Sequence, residues 1–216
     1  MRSNYKFPSL IIILFTLLSF TASSQDYPFA RGFSKGIIFL NDSSQLSGQL
    51  KWFPNQYEKL QFRLKEGGDI KKYAPGEIMG FTADGLKFEA LFDLEVYAEN
   101  YALLGKTSRV KHTFGEVLSS GPVAIYYVLV TGYNAVSGVV EIYPNIYFQK
   151  KVNDKYVYAH YPVGIRMKDK KYEKAKENLY VFFNDYPEIV QQIKAYKKQD
   201  DFFKIIESIH KTNTTN

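Results

Sequence analysis

The side chains able to move protons or hold metals are three histidines, His112, His160 and His210, and an acidic run at Glu89, Asp93 and Glu95. Alternate residues on a strand lie about 7 Å apart. Asp93 and Glu95 therefore fall within the separation of about 5 to 9 Å at which paired carboxylates hydrolyse glycosidic bonds, and the same spacing suits a shared cation. A flat strand face excludes water poorly, so the expected partners of these acids are basic residues across the sheet, such as Lys59, Arg63 and Lys65. The histidines stand far apart; only His160, in a tyrosine-rich strand, is placed to face a cleft.

Nucleophilic catalysis has little to work with. No GxSxG elbow occurs, and the chain has no cysteine. HExxH, cysteine pairs and the acidic calcium loop are missing. Phosphate-cradling GxGxxG and GxxxxGK are absent too, and "EGGD" leads into a strand rather than a helix. The expectation is no catalytic residue, no metal site and no cofactor, and an enzyme is the less favoured reading.

A different chemistry is written in "EIYPNIYF", Glu141 to Phe148. Tyr143 and Tyr147 share a parity, and the strand after the "VNDK" turn adds Tyr156, Tyr158 and His160. A hairpin would present these four tyrosines as an aromatic ladder, able to stack on sugar rings or bury against a partner chain. Pro144 marks an edge or bulged strand. Tyrosine is also favoured in strands for packing alone, so the same residues fit a purely structural role.

The elements that must position them read as follows. Leu46, Gly48, Leu50 and Trp52 alternate with polar residues, as do Leu60, Phe62 and Leu64. From Phe88 to Ala98 the apolar face is Phe88, Ala90, Phe92, Leu94 and Val96, opposite Glu89, Asp93, Glu95 and Tyr97. "NDSS", "EGGD", "ADG" and "VNDK" supply turns. "PVAIYYVLV", Pro122 to Val130, is apolar on both parities and needs cover on both faces. The C-terminal segment, where the period becomes helical, is the natural cover: Tyr172, Ala175, Leu179 and Phe182; Ile189, Ile193 and Tyr196; Phe202, Ile205, Ile206 and Ile209. Asp185 with Glu188 resembles a capping box, with Pro187 in the first turn. The stretch from Asn100 to Val110 reads as a connection. The fold class is α+β: an antiparallel β-rich sandwich or partly open barrel followed by three short C-terminal helices.

The opening "MRSNYKFPSLIIILFTLLSFTASSQ" has a basic start, an apolar centre too short to span a bilayer and a small-residue exit, the pattern of a secretory signal peptide cut before Gln25. The organisation is a signal peptide over 1–24, a β-rich region over 25–165, a helical region over 166–211 and a frayed tail over 212–216. Without cysteine, stability must come from a core, and lipid acylation at the signal junction is excluded. The formal charge of +6 loses Arg2 and Lys6 with the signal. The densest basic cluster, "KDKKYEKAK", alternates with acids on a helix, so no nucleic acid is expected. No transmembrane span is expected after signal removal.

"KGIIFLNDSSQLSGQLKW", "YAPGEIMGF", "GPVAIYY" and "NLYVFFNDYPEIVQQI" together resemble a group of uncharacterised secreted proteins of Bacteroidota-type envelope bacteria. The resemblance covers most of the mature chain and rests on structural patterns. It implies an exported, sheet-then-helix architecture and carries no activity or site. The expected function is a non-enzymatic cell-envelope protein, periplasmic, outer-membrane-associated or extracellular, that binds or assembles with an envelope protein or polysaccharide. The alternatives are a carbohydrate-binding module using Tyr143, Tyr147, Tyr156 and Tyr158, and a glycan hydrolase.

Overall fold

Each turn signal joins two strands. The computed structural model describes residues 27–55, 57–96, 108–134, 138–161, 170–195 and 200–215. "NDSS" links β1 (Ser34–Leu40) to β2 (Gln45–Lys51), and "EGGD" links β3 (Leu60–Arg63) to β4 (Lys71–Tyr73). "ADG" links β5 (Ile78–Ala83) to β6 (Leu86–Val96), and β7 (Ser108–Ser119) and β8 (Val123–Asn134) follow. "VNDK" links β9 (Val139–Val152) to β10 (Lys155–Tyr161). Asp84 and Gly85, then Asn153 and Asp154, all take positive φ, the paired left-handed conformation that two-residue hairpin turns need.

The strands form one antiparallel sheet in the order β10-β9-β8-β7-β6-β5-β1-β2-β3-β4. Because β1 pairs with both β2 and β5, the hydrogen-bond ladder runs through without a break. Among the described residues β10 and β4 are its two ends, and the sheet is not closed into a barrel. Tight approaches are built from glycine: a Cβ on Gly80 of β5 would stand 2.1 Å from the Phe88 carbonyl oxygen.

Three helices follow the sheet: α2 (Lys170–Phe182), α3 (Pro187–Ala195) and α4 (Asp200–Thr215). The apolar positions read from the helical period are the ones that pack. Leu179, Phe182, Ile189, Ile193, Ile205 and Ile209 are buried against Val123, Ile125, Ile146 and Phe148. The other parity of β8, with Ala124, Tyr126, Val128 and Val130, lies in a separate cluster on the opposite face. This strand is covered on both faces, as its two-sided apolar composition demands. The capping box does not form. Asp185 instead binds Lys150 at 2.9 Å, while α3 starts at Pro187. Helix α4 continues to Thr215, through most of the stretch read as a frayed tail. Of the connection read over Asn100 to Val110, residues 108–110 belong to β7 and the rest lie outside the described residues.

A third cluster fills the other half of the sheet. Phe29, from a single helical turn α1 (Pro28–Arg31) that carries no sequence periodicity, is fully buried among Trp52, Phe81, Phe88 and Phe114. The rings meet edge to face or stacked at 4.7 to 6.5 Å, as in Phe81–Phe88 and Phe29–Trp52.

One strand departs from its expected alternation. Phe88 and Ala90 of β6 pack with the Phe29 cluster, but Leu91, Leu94 and Val96 belong to the cluster on the opposite face. Asp93 has φ +55°, and this left-handed residue reverses which parity points inward. Tyr97 lies outside the described residues.

Candidate ligand-binding cleft

Register puts the sequence-singled tyrosines on one face. Tyr147 stands opposite His160, Gln149 opposite Tyr158 and Lys151 opposite Tyr156, while Tyr126 and Val130 of β8 stand opposite Tyr147 and Tyr143. Depth then separates them. Tyr156 is 63% exposed, Tyr143 and Tyr158 are half-buried, and Tyr147 is 2% exposed. Pro144 pairs with Leu129 of β8, and among the described residues β9 pairs with β10 only from Ile146 onward, the one-sided setting in which a sheet tolerates proline.

The depth comes from curvature. Tyr147 Oη donates to the Glu95 carbonyl at 2.7 Å, joining β9 to β6 across two intervening strands. Tyr126 Oη donates to Glu89 at 2.6 Å and lies 3.2 Å from Gln149 Oε1, and Gln149 Nε2 donates to Tyr158 Oη at 2.8 Å. Strands spaced about 4.8 Å apart allow such bonds only if β6 to β10 curl around this face. The curl encloses a polar line, Glu89–Tyr126–Gln149–Tyr158, within an apolar lining. Burial, reinforced by the Glu89 carboxylate, pushes the Tyr126 hydroxyl up from its ordinary value. Burial also raises Tyr158, against the opposing effect of Gln149.

His160 sits beside this line. Its Nε2 lies 3.1 Å from Asn145 Oδ1, and its ring packs on Tyr147 at 5.3 Å. Asn145 Nδ2 donates to the Tyr143 carbonyl, leaving Oδ1 as acceptor, so the imidazole proton is on Nε2. Enclosure of the ring pushes its pKa down to about 3; the imidazole is neutral at physiological pH.

At the rim the curl opens into a cleft of about 1090 Å³. Its floor is Val157, Tyr158, Ala159 and His160; one wall carries Asp93, Glu95 and Arg109, the other Val181, Asn184 and Asp185 of α2 and the loop after it. Asp93 pairs with Arg109 at 3.5 Å, both largely exposed. Glu89 pairs with Lys87 at 2.6 Å. The expected partners Lys59, Arg63 and Lys65 lie in or next to β3, four strands away from β6. On the helical side Lys150, only 11% exposed, is held by Asp185 and lies 5.1 Å from the centre of the Phe182 ring, which anchors α2 beside the cleft.

Sequence reasoning therefore found the cleft's residues in two separate groups, the acids and the tyrosines, and the fold brings Asp93, Glu95, Tyr147, Tyr158 and His160 together. It missed Asn145, Gln149 and Tyr126, whose signal was their shared parity with the tyrosines. Tyr143 and Tyr156 stand outside the cleft lining. His112 is exposed on β7, and His210 of α4 lies 3.2 Å from Ser119 Oγ. Among the described residues no group of three or more acidic or histidine side chains is arranged to hold a metal. No helix among them is long and apolar enough to cross a membrane. Comparison with protein-family models, with curated proteins and with solved structures found no match.

Proposed function

We propose that this chain is an exported cell-envelope protein that binds or assembles rather than catalyses, and that the cleft beside β10 receives its ligand. The observation that carries this reading is the convergence of Asp93, Glu95, Tyr158 and His160 on one cleft from sequence positions more than sixty apart. Catalysis is disfavoured by the state of the groups. Asp93 is 68% exposed and ion-paired, in contact with water that acid–base chemistry on a polymer must displace, and His160 is committed to Asn145.

A polysaccharide ligand is the second reading, favoured by the open ring of Tyr156 next to Tyr158 on the same hairpin. Affinity electrophoresis of residues 25–216 against peptidoglycan fragments, lipopolysaccharide and neutral polysaccharides separates the two. Retardation by a neutral glycan, lost in Tyr156→Ala with the fold intact, selects the carbohydrate reading. Retardation by none directs the search to a protein partner. Release of soluble fragments from an envelope polymer, abolished by Asp93→Asn or Glu95→Gln, would overturn the non-catalytic reading.

A further inference from the structure

In the other half of the sheet the charges are sorted by sign. Strands β1 to β5 carry Lys35, Lys51, Arg63, Lys71 and Lys72 and no aspartate or glutamate. The acids of this part of the chain, Asp42, Glu58, Glu66, Asp69, Glu77 and Asp84, all stand in the connections between strands. A surface that is only solvated intersperses both signs. Here the strands hold one.

Register then sorts the cations by face, because residues directly opposite each other in an antiparallel pair point to the same side. Lys35 stands opposite Gln49, and Gln49 opposite Arg63. Lys51 stands opposite Gln61, and Gln61 opposite Lys72. Gln49 and Lys51 are alternate residues of β2, so the two rows share a face. On that face Lys35, Lys51, Arg63 and Lys72 form a zigzag, one cation on each of β1 to β4. Cations of one row stand about 10 Å apart, and the rows about 7 Å apart. Lys71 points to the opposite face, where its ammonium lies 4.8 Å from the centre of the Tyr73 ring.

The middle of this lattice is held in place. Arg63 is half-buried, its Nε donates to Gln49 Oε1 at 2.8 Å, and its guanidinium lies 4.2 Å from the centre of the Phe33 ring. Both contacts fix the plane of the group, and neither uses its terminal nitrogens. These are left as a planar fork that matches the two oxygens of a carboxylate. None of Lys35, Lys51, Arg63 and Lys72 has an ion pair among the described residues. A second cleft, of about 750 Å³, adjoins the Lys35 row. Lys35, Lys65, Ser47, Gln49 and Thr82 line it, with Asp84 as an acid among them. Leu50 and Phe62, which cover Gly36 and Gly48 from the core side, do not line it, so the cleft opens on the cationic face.

We infer that this face binds a linear acidic polysaccharide through carboxylates that recur along its chain. Arg63 holds one carboxylate by its fork, and Lys35, Lys51 and Lys72 meet the neighbouring ones. Gln49, Gln61 and the hydroxyls of Ser47 and Thr82 take sugar hydroxyls between them. Such a ligand also relieves the repulsion among four like charges on adjacent strands. The polymer class follows from the rest of the face. A single-stranded nucleic acid stacks its bases on open rings, and Phe33, the ring beside these rows, lies under Arg63. An anionic bilayer takes apolar side chains into its interface, whereas the two rows hold none and adjoin a cleft. Strands β1 to β4 do not line the cleft beside β10, so this site is independent of the reading of that cleft.

The test measures binding of the protein to hyaluronate and polygalacturonate, which carry a carboxylate on alternate sugars and on every sugar. Neutral dextran, single-stranded DNA and vesicles of anionic lipid are measured beside them. The expected result is binding to at least one carboxylated polymer and not to dextran, weakening as salt rises. Arg63→Gln should lower that affinity by about tenfold or more, the loss of charge-assisted hydrogen bonds. Arg63→Lys, which keeps the charge without the fork, should recover only part of it. Lys35→Gln and Lys51→Gln should each weaken binding, and they carry the comparison if thermal unfolding shows that Arg63→Gln disturbs the fold. Lys71→Gln removes the same charge from the opposite face and should leave binding unchanged. Binding to neither polymer overturns the inference, as does a loss in Lys71→Gln equal to that in Arg63→Gln. Tighter binding of the DNA would make the site one for nucleic acid, and binding of vesicles alone would make it a lipid surface; either overturns the polysaccharide. Polymer binding lost in Tyr156→Ala and kept in Arg63→Gln would move the glycan to the β9–β10 hairpin and overturn this site while leaving the other reading intact.

Discussion

The same ring can be a core residue at one end and a surface at the other, and the hairpin tyrosines divide along that line. Tyr147, buried with its hydroxyl on the Glu95 carbonyl, is a strut between β9 and β6. Tyr147→Phe should cost about 1 kcal/mol, the net worth of one hydrogen bond, and Tyr147→Ala about 3–5 kcal/mol from the cavity left behind. Urea midpoints of both variants check this. Equal, negligible losses would place the ring outside the core. His160 makes a pH prediction. Its folded pKa of about 3 lies below the unfolded value of about 6.5, so between these values the unfolded chain binds a proton that the folded chain refuses. Stability from this group is complete above about pH 6.5 and is lost as pH falls toward 3, by at most about 1.4 kcal/mol per pH unit. Urea unfolding at pH 7 and pH 5 should show a steeper loss in the native protein than in His160→Asn; identical slopes would mean that the ring is solvated. Shared parity made the common face of Tyr143, Tyr147, Tyr156, Tyr158 and His160 legible in the sequence. Their separation by depth was not, because depth depends on how far three other strands, β6 to β8, curl.

Strands and turns were the most legible elements. Each of the four turn signals combined residues tolerant of positive φ with flanking alternation, and both features are local. The helices were legible for the same reason, since Leu179, Ile189, Ile193 and Ile205 repeat at helical spacing. What failed to show were the irregularities. An aspartate at Asp93 reads as one more polar residue on a solvent face, although its left-handed backbone switches Leu94 and Val96 to the opposite core. Phe29 gives no periodic signal because α1 is one turn long, yet it is buried at 0% exposure. Asp93 can be tested directly. Asp93→Gly should be nearly neutral in thermal unfolding, since glycine accepts φ +55° and the exposed pair with Arg109 is worth at most about 1 kcal/mol. Asp93→Val should lose about 1–3 kcal/mol, because a β-branched residue is strained there. The reverse order would mean that β6 continues through this point without a switch of face.

At the scale of the whole molecule, the composition of "PVAIYYVLV" required cover on both faces of one strand, and from that requirement the docking of sheet and helices followed. The sheet's order and its opening did not, since pairing between strands distant in sequence leaves no periodic trace in either one. The helices are consequently part of the fold. Leu179, Phe182, Phe183, Ile189, Ile193, Ile205 and Ile209 are each buried at 7% exposure or less against the β8–β10 face, and full burial of such a side chain contributes about 1.5–3 kcal/mol. Their gross contribution, on the order of 10–20 kcal/mol by that coefficient, is comparable to the entire stability of an ordinary domain, about 5–15 kcal/mol. Ordering of the helices offsets part of it, but removing them also bares Val123, Ile125, Ile146 and Phe148 to water. A chain ending at Ile165 should therefore lack a cooperative thermal transition and bind an apolar dye strongly, whereas Leu179→Ala, losing about 2–5 kcal/mol, should keep a cooperative transition at lower temperature. A truncated chain that melted cooperatively near the temperature of the full protein would show that the sheet stands alone, and α2, which walls the cleft, would then be a mobile appendage instead of a fixed side of the site.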